Sequence, residues 1–210
     1  MKITTNFDFD IVRRFWYTRQ DKSFDKKYGI ITSHLKILDQ IPNFETQKSM
    51  RGGHSKGYQA CYARNIREAI RESLRILPSA AAFIDIGSGL GKALFIAREV
   101  PQLKSIIGLE YLTELHALAE KNMSSYKENR IHLVNGDANN FLIESQPTIL
   151  FFFNPFDDVV MRNFLRNNVA TIKASKTVIA YVNDVHQDEL KKFGLRKFYG
   201  NELRKISVWQ

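Results

Sequence analysis

The chain contains a single cysteine, Cys61, so it cannot form an internal disulfide, and the residue reads as a buried small side chain in a protein of a reducing compartment. Long apolar runs are missing as well. The longest strongly apolar stretch, Thr148 to Phe153, is far too short to cross a bilayer, and the opening "MKITTNFDFDIVRRFWYTRQ" lacks the uninterrupted apolar core of a signal peptide. The five histidines are scattered without metal-ligand spacing, so no metal is expected; His116 and His132 read as packing or surface residues, and His186 as a residue near a crevice. There is no internal repeat and no low-complexity tract. Acidic residues are outnumbered, 22 against 31 Lys and Arg, giving a formal net charge of +9. That balance suits a nucleic acid, an acidic protein surface or a phosphorylated substrate, but it equally suits an ordinary basic surface, because the charges run along the whole chain. These absences predict a soluble cytoplasmic protein with one packed core, and they leave its activity open.

The 210 residues divide by pattern. Residues 1–57 are aromatic and basic ("RRFWYTRQDKSFDKKYG") and end in "RGGHSKG"; without a clear period they predict short helices and a flexible segment, an extension that caps an active site. Residues 58–210 are regular. In "YQACYARNIREAIRESLRIL", Ala63, Ile66, Ile70, Leu74 and Leu77 share one helical face and Arg64, Arg67, Arg71 and Arg75 the opposite one, which reads as a solvated face rather than a phosphate-binding stripe. Strands follow near 81–86, 105–110, 130–135, 148–154 and 177–183. Between them lie helices near 90–100, 112–123, 138–144 and 157–172, with a further helix near 185–192. Alternating strands and helices give a parallel, doubly wound α/β sheet. "LRKFY" and "LRKISVW" around "GNE" break the rhythm and predict a closing antiparallel hairpin, seven strands in all.

The chemistry concentrates where strands end. "AFIDIGSGLGKALFIA" runs from an apolar strand into Gly87, Ser88, Gly89 and Gly91, with Asp85 just before them. Glycines at that place let a ligand approach the backbone. A carboxylate there repels a pyrophosphate and suits an ammonium, so the G-x-G-x-G spacing does not read as a nicotinamide fingerprint. Glu110 ends the next strand, where it can accept two ribose hydroxyls, and "NGDANN" sets Asp137 and Ala138 beside an adenine pocket. A ribose with a cationic amino-acid tail describes S-adenosylmethionine.

This set of motifs resembles the class I S-adenosylmethionine-dependent methyltransferases, over residues 58–210. Within them the chain is similar to a group of small bacterial methyltransferases with "DxxFDxxYG" near the start and "FxNPF" after strand four, here "DKSFDKKYG" and "FFNPF". "GYQACYARNIREAI" also resembles the segment before strand one in Rossmann-type histone-lysine methyltransferases; its Tyr58 matches, while Gln59, Ala60 and Cys61 depart from it. The resemblance implies a Rossmann-like sheet and S-adenosylmethionine held by Tyr58, Asp85, Gly87, Ser88, Gly89, Gly91, Glu110, Asp137, Ala138 and Asn154. It further implies Asn154 and Phe156 at the methyl acceptor, by likeness to the N-P-P-F/Y motif of amino-methylating enzymes. Methylation of a nitrogen on a protein lysine or a small molecule follows, with a nucleic-acid acceptor or a catalytically silent cofactor-binding module as the alternatives.

Overall fold

A computed structural model of the protein describes residues 9–32 and 58–210, with side chains from residue 19 onward in the first segment. Helix α1 (Phe9–Tyr28) is followed by α2 (Ala63–Ile76), β1 (Ala82–Ile86), α3 (Lys92–Ala97), β2 (Ser105–Glu110), α4 (Thr113–Ser124) and β3 (Ile131–Asn135). Then come β4 (Thr148–Phe153), α5 (Asp158–Ala174), β5 (Val178–Val182), α6 (Gln187–Lys192), β6 (Lys197–Asn201) and β7 (Ile206–Trp209). The seven strands lie in the order β3-β2-β1-β4-β5-β7-β6. The first five are parallel, and β7 pairs antiparallel with both β5 and β6. β1, β4 and β5 are buried throughout or nearly so, as expected for central parallel strands covered on both faces.

Phe83, Phe151 and Ala180 face one core with α2 and α3, and Ile84, Leu150, Phe152 and Ile179 face the other with α5. The alternation along each strand thus sends successive residues to opposite layers. The reversal of strand order falls between β1 and β4, so the crevice at their carboxyl ends is the place for a ligand.

Two expectations are corrected. Among the described residues of the N-terminal extension there is one twenty-residue helix where short ones were expected. Its buried face, where side chains are described, is Asp21, Phe24 and Tyr28, and the acid in that face hides the helical period. The Phe24 and Tyr28 rings meet at a tilt, centroids 4.7 Å apart, and Tyr28 reaches Phe95 of α3 at 5.9 Å, so α1 docks on the first core. The expectations for "RGGHSKG" and for the Phe15, Trp16 and Tyr17 side chains lie outside the described residues.

The helix expected at 138–144 is a turn followed by chain without regular secondary structure. Asp137 Oδ1 accepts from the Asn139 amide (2.8 Å) and side chain (3.0 Å), a local bond that competes with a helix. Asn168 of α5 then ties the segment down, accepting from Ile143 N at 2.9 Å and donating to Phe141 O at 2.9 Å.

The arginine face of α2 is solvated, as predicted: Arg67 pairs with Glu99, and Arg71 and Arg75 with Glu72. The acids between those arginines are not solvated with them. Glu68 and Glu72 are buried, and Glu68 receives Tyr199 Oη (2.9 Å), Asn201 Nδ2 (2.6 Å) and Arg204, locking the terminal hairpin onto α2. No helix among the described residues is long and apolar enough to cross a membrane.

Candidate active site

The carboxyl ends of β1, β2 and β4 and the loop after β3 enclose a cavity of about 220 Å³. Tyr58, Asp85, Gly87, Ser88, Gly89, Glu110, Asp137, Ala138, Asn154 and Phe156 all line it; of the residues expected to hold the cofactor or acceptor only Gly91 does not. Gly91 instead begins α3 with a φ of +84°, and a Cβ there would come within 2.8 Å of Met123 Cε. His186 is not among the lining residues either.

The glycine loop turns sharply after β1. The amides of Gly87 and Ser88 both donate to Leu109 O, at 2.8 and 2.9 Å, which binds the loop to the end of β2. Gly89 has a φ of +53°, and a Cβ on it would lie 2.5 Å from Tyr58 Cε2. Tyr58 therefore packs directly on the loop, and its hydroxyl donates to Thr32 O at the end of the α1 segment. Glu110 closes the loop from the other side: Oε2 accepts from Gly89 N and Oε1 from Leu112 N, each at 2.8 Å. A carboxylate has about four acceptor sites, so capacity for hydroxyl donors remains.

The electrostatics of the cavity are unusual. Burial, reinforced by the neighbouring Glu110, pushes the Asp85 carboxyl well above the usual carboxylate range. Burial raises Glu110 too, against the backbone amides that favour its ionised form. Burial holds the Cys61 thiol protonated and the Tyr58 phenol neutral, so neither is a ready nucleophile. A pocket that strains to keep two carboxylates ionised suits a cationic ligand.

Two buried polar atoms at this cavity lack a protein partner: Ser88 Oγ and Asn154 Oδ1. Asn154 follows β4 directly, in the left-handed region at a φ of +42°. Asparagine tolerates that conformation better than most residues. Pro155 lies against Gly87, whose Cβ, if present, would be 2.4 Å from Pro155 Cβ. Phe156 is 7% exposed and meets Phe152 edge-on at 6.1 Å, so it belongs to the second core as well as to the cavity wall.

Sequence reasoning missed Lys92, Asp21 and Asn139. Lys92 follows the last glycine directly and lines the cavity, buried at 4% exposure. Its Nζ lies 3.0 Å from Asp21 Oδ2, while Asp21 Oδ1 accepts from Ala63 N at 3.0 Å. The position of Lys92, next to the glycines, was the only cue available; nothing local marks Asp21. Asn139 was legible as part of "NGDANN", and it ties Asp137 to α5 through Asn163 Nδ2 at 3.1 Å.

A seven-stranded sheet with this order, an acidic glycine loop after β1 and acids after β2 and β3 defines a class I, Rossmann-like methyltransferase. Solved structures share the fold. The glycopeptide N-methyltransferase MtfA complexed with S-adenosyl-L-homocysteine matches with a TM-score of 0.55 at 13% identity, over 80% of this chain and 96% of that one. A SAM-dependent methyltransferase from Aquifex aeolicus matches at 0.53 and 13%, over 69% and 87%. The methyltransferase domain of the bacterial CtHen1 protein matches at 0.51 and 11%, over 70% and 98%. No curated protein matches by sequence. The family model of the protein-L-isoaspartate(D-aspartate) O-methyltransferases covers residues 45–151, and the chain belongs to that family. It is an S-adenosylmethionine-dependent methyltransferase. The match ends inside β4 and stops short of Asn154-Pro155-Phe156.

Proposed function

We propose that the protein transfers the methyl group of S-adenosylmethionine to a nitrogen of a protein lysine or a small-molecule amine. The observation that carries this reading is Asn154: a buried amide oxygen without a protein partner, in left-handed backbone, at the end of β4. An oxygen acceptor at that point recognises a group bearing protons, as an amine does and a carboxylate does not.

Asp85 would take the cofactor's ammonium, Glu110 its ribose hydroxyls, and Asp137 and Ala138 its adenine. Gly87, Ser88 and Gly89 would admit the methionine part close to the backbone, while Gly91 starts the helix behind them. When bound, the cofactor supplies a methyl group on a sulfonium, the electrophile of a direct displacement. Asn154 Oδ1 would accept an N–H of the incoming neutral amine and thereby aim its lone pair at that methyl carbon. As the N–C bond forms, the C–S electron pair stays on sulfur, and the amine's proton passes to solvent, since an amide is no base. Tyr58 and Phe156 would exclude water from this line, and α1 with the rest of residues 1–57 would cap the cleft over the domain of residues 58–210.

The family's name describes methylation of a carboxyl oxygen, and one experiment separates the two readings. Lysate fractions of protein, RNA, DNA and small molecules are incubated with methyl-labelled cofactor, and the product is treated with mild base. Methyl esters release the label as methanol; methylated amines keep it. Label that survives base on protein or small amines supports nitrogen transfer, and base-labile label overturns it. Label in nucleic acid overturns the choice of acceptor, and the absence of turnover in every fraction supports a silent binding module. With an acceptor in hand, Asn154→Ala is expected to keep cofactor affinity within about twofold and lose roughly 10²–10³ in turnover, the usual cost of one orienting group.

A further inference from the structure

The cavity has a charge pattern that the roles above do not exhaust. Three acids line it, Asp85, Glu110 and Asp137, and among its described lining residues Lys92 is the single basic side chain. The amino-acid tail of the cofactor is a zwitterion. Its ammonium suits the acids, but its carboxylate would enter a cleft already holding three groups of its own sign. One cation is needed to receive it, and the cleft offers one.

We propose that Lys92 binds the carboxylate of the cofactor's amino-acid tail and that Asp21 of α1 is the positioning residue that holds it there. The proposal rests on the cofactor reading above and deepens it. Lys92 sits directly after the glycine loop, at the start of α3, and lines the same cleft as Asp85. Both partners of the ion pair are nearly inaccessible, at 5% and 6% side-chain exposure, and their separation is 3.0 Å. A buried ammonium costs free energy unless it is paired, and Asp21 supplies that pairing. Asp21 is itself oriented by the Ala63 amide at the start of α2, so the lysine is fixed from α1 and α2 together. An ammonium carries three donors, which lets one lysine bridge Asp21 and a ligand carboxylate. A pair whose only task was to staple α1 to α3 would not need to border the ligand cavity.

A consequence is that the N-terminal helix belongs to the cofactor site and is more than a cover on it. Cofactor binding then reports on α1 across the 71 residues that separate Asp21 from Lys92.

The test compares two ligands that differ only in this carboxylate: S-adenosylhomocysteine and its decarboxylated form, S-adenosyl-3-thiopropylamine. Each is titrated calorimetrically into the full-length protein. Wild type is expected to bind S-adenosylhomocysteine roughly 10–100-fold more tightly, the range of one charge-assisted hydrogen bond. Lys92→Met should erase that preference while leaving the affinity for the thiopropylamine within about twofold. Where the lone Asp21 left by that variant prevents folding, Asp21→Asn/Lys92→Met removes both charges and should give the same result. Asp21→Asn alone, with the lysine kept, should shrink the preference by less than Lys92→Met does. A wild type that does not discriminate between the ligands overturns the proposal and leaves the cofactor reading standing. Equal losses for both ligands in Lys92→Met also overturn it, assigning the pair to packing alone. A wild type that binds neither ligand overturns the cofactor reading along with it.

Discussion

Replacing Asp85 with asparagine should make the empty protein more stable and a poorer binder of its cofactor, and the sign of the first effect can be worked from the site. Asp85 is 4% exposed, and burial beside Glu110 lifts its carboxyl well above the usual range in the folded state. A carboxyl raised on folding binds its proton more tightly in the native than in the unfolded chain, so stability falls as pH climbs from the ordinary carboxylate value through the raised one. Asparagine cannot ionise, so the variant escapes that loss. Its melting temperature should equal that of wild type in acid and exceed it increasingly toward and above neutral pH. Binding runs the other way. The cofactor's ammonium needs the ionised carboxylate, and losing one charge-assisted hydrogen bond of about 1.5–3 kcal/mol weakens affinity roughly 10–100-fold. In wild type the affinity should rise with pH as Asp85 ionises, and the variant should flatten that slope. Thermal melts of the empty protein across pH, paired with calorimetric titration of S-adenosylhomocysteine, measure both. A variant that melts lower than wild type at neutral pH, or binds with unchanged affinity, would refute the reasoning.

Gly89→Ala forces a side chain into left-handed backbone, at about 1–2 kcal/mol, and sets its Cβ 2.5 Å from Tyr58. Displacing that ring also strains the Tyr58 bond to Thr32, so the melting temperature should drop by roughly 4–12 °C; a shift below about 2 °C contradicts the packing. Glu189 is held down to about 2 by Arg162 and Lys192, which it joins at 3.1 and 2.7 Å. A depressed carboxyl stabilises above its ordinary value and loses that contribution as pH falls toward about 2. Glu189→Gln should therefore cost about 1–2 kcal/mol at neutral pH, allowing for the exposure of Lys192, and almost nothing in strong acid; a penalty independent of pH in urea titrations argues for packing instead. Deleting residues 1–30 removes the buried Asp21, Phe24, Tyr28 and Ile30 and breaks the ion pair of Asp21 with Lys92. The truncated chain should aggregate or melt far lower and show no methyl transfer, and a soluble, fully active product would make the N-terminal helix dispensable.

The features legible in the chain were those written locally. Strand and helix periods, the acid before the glycine loop, Glu110 at a strand end and Asn154 before a proline each depend on residues a few positions apart, and a parallel sheet gathers its strand ends at one edge whatever the helices between them do. Other features were set by distant partners. The segment 138–144 carries helical residues, yet the side chain of Asn168 draws its backbone out of a helix. Glu68 looks like one more charge on an exposed face until the hairpin arrives 131–133 residues later to bury it. The period of α1 is masked because its inward face contains an acid, Asp21, which meets Lys92 there. Burying Asp21 without Lys92, or Lys92 without Asp21, would remove an opposite charge 3.0 Å away from a group kept from water. Neither residue's place follows from its own neighbours, and only the packed chain could decide both together.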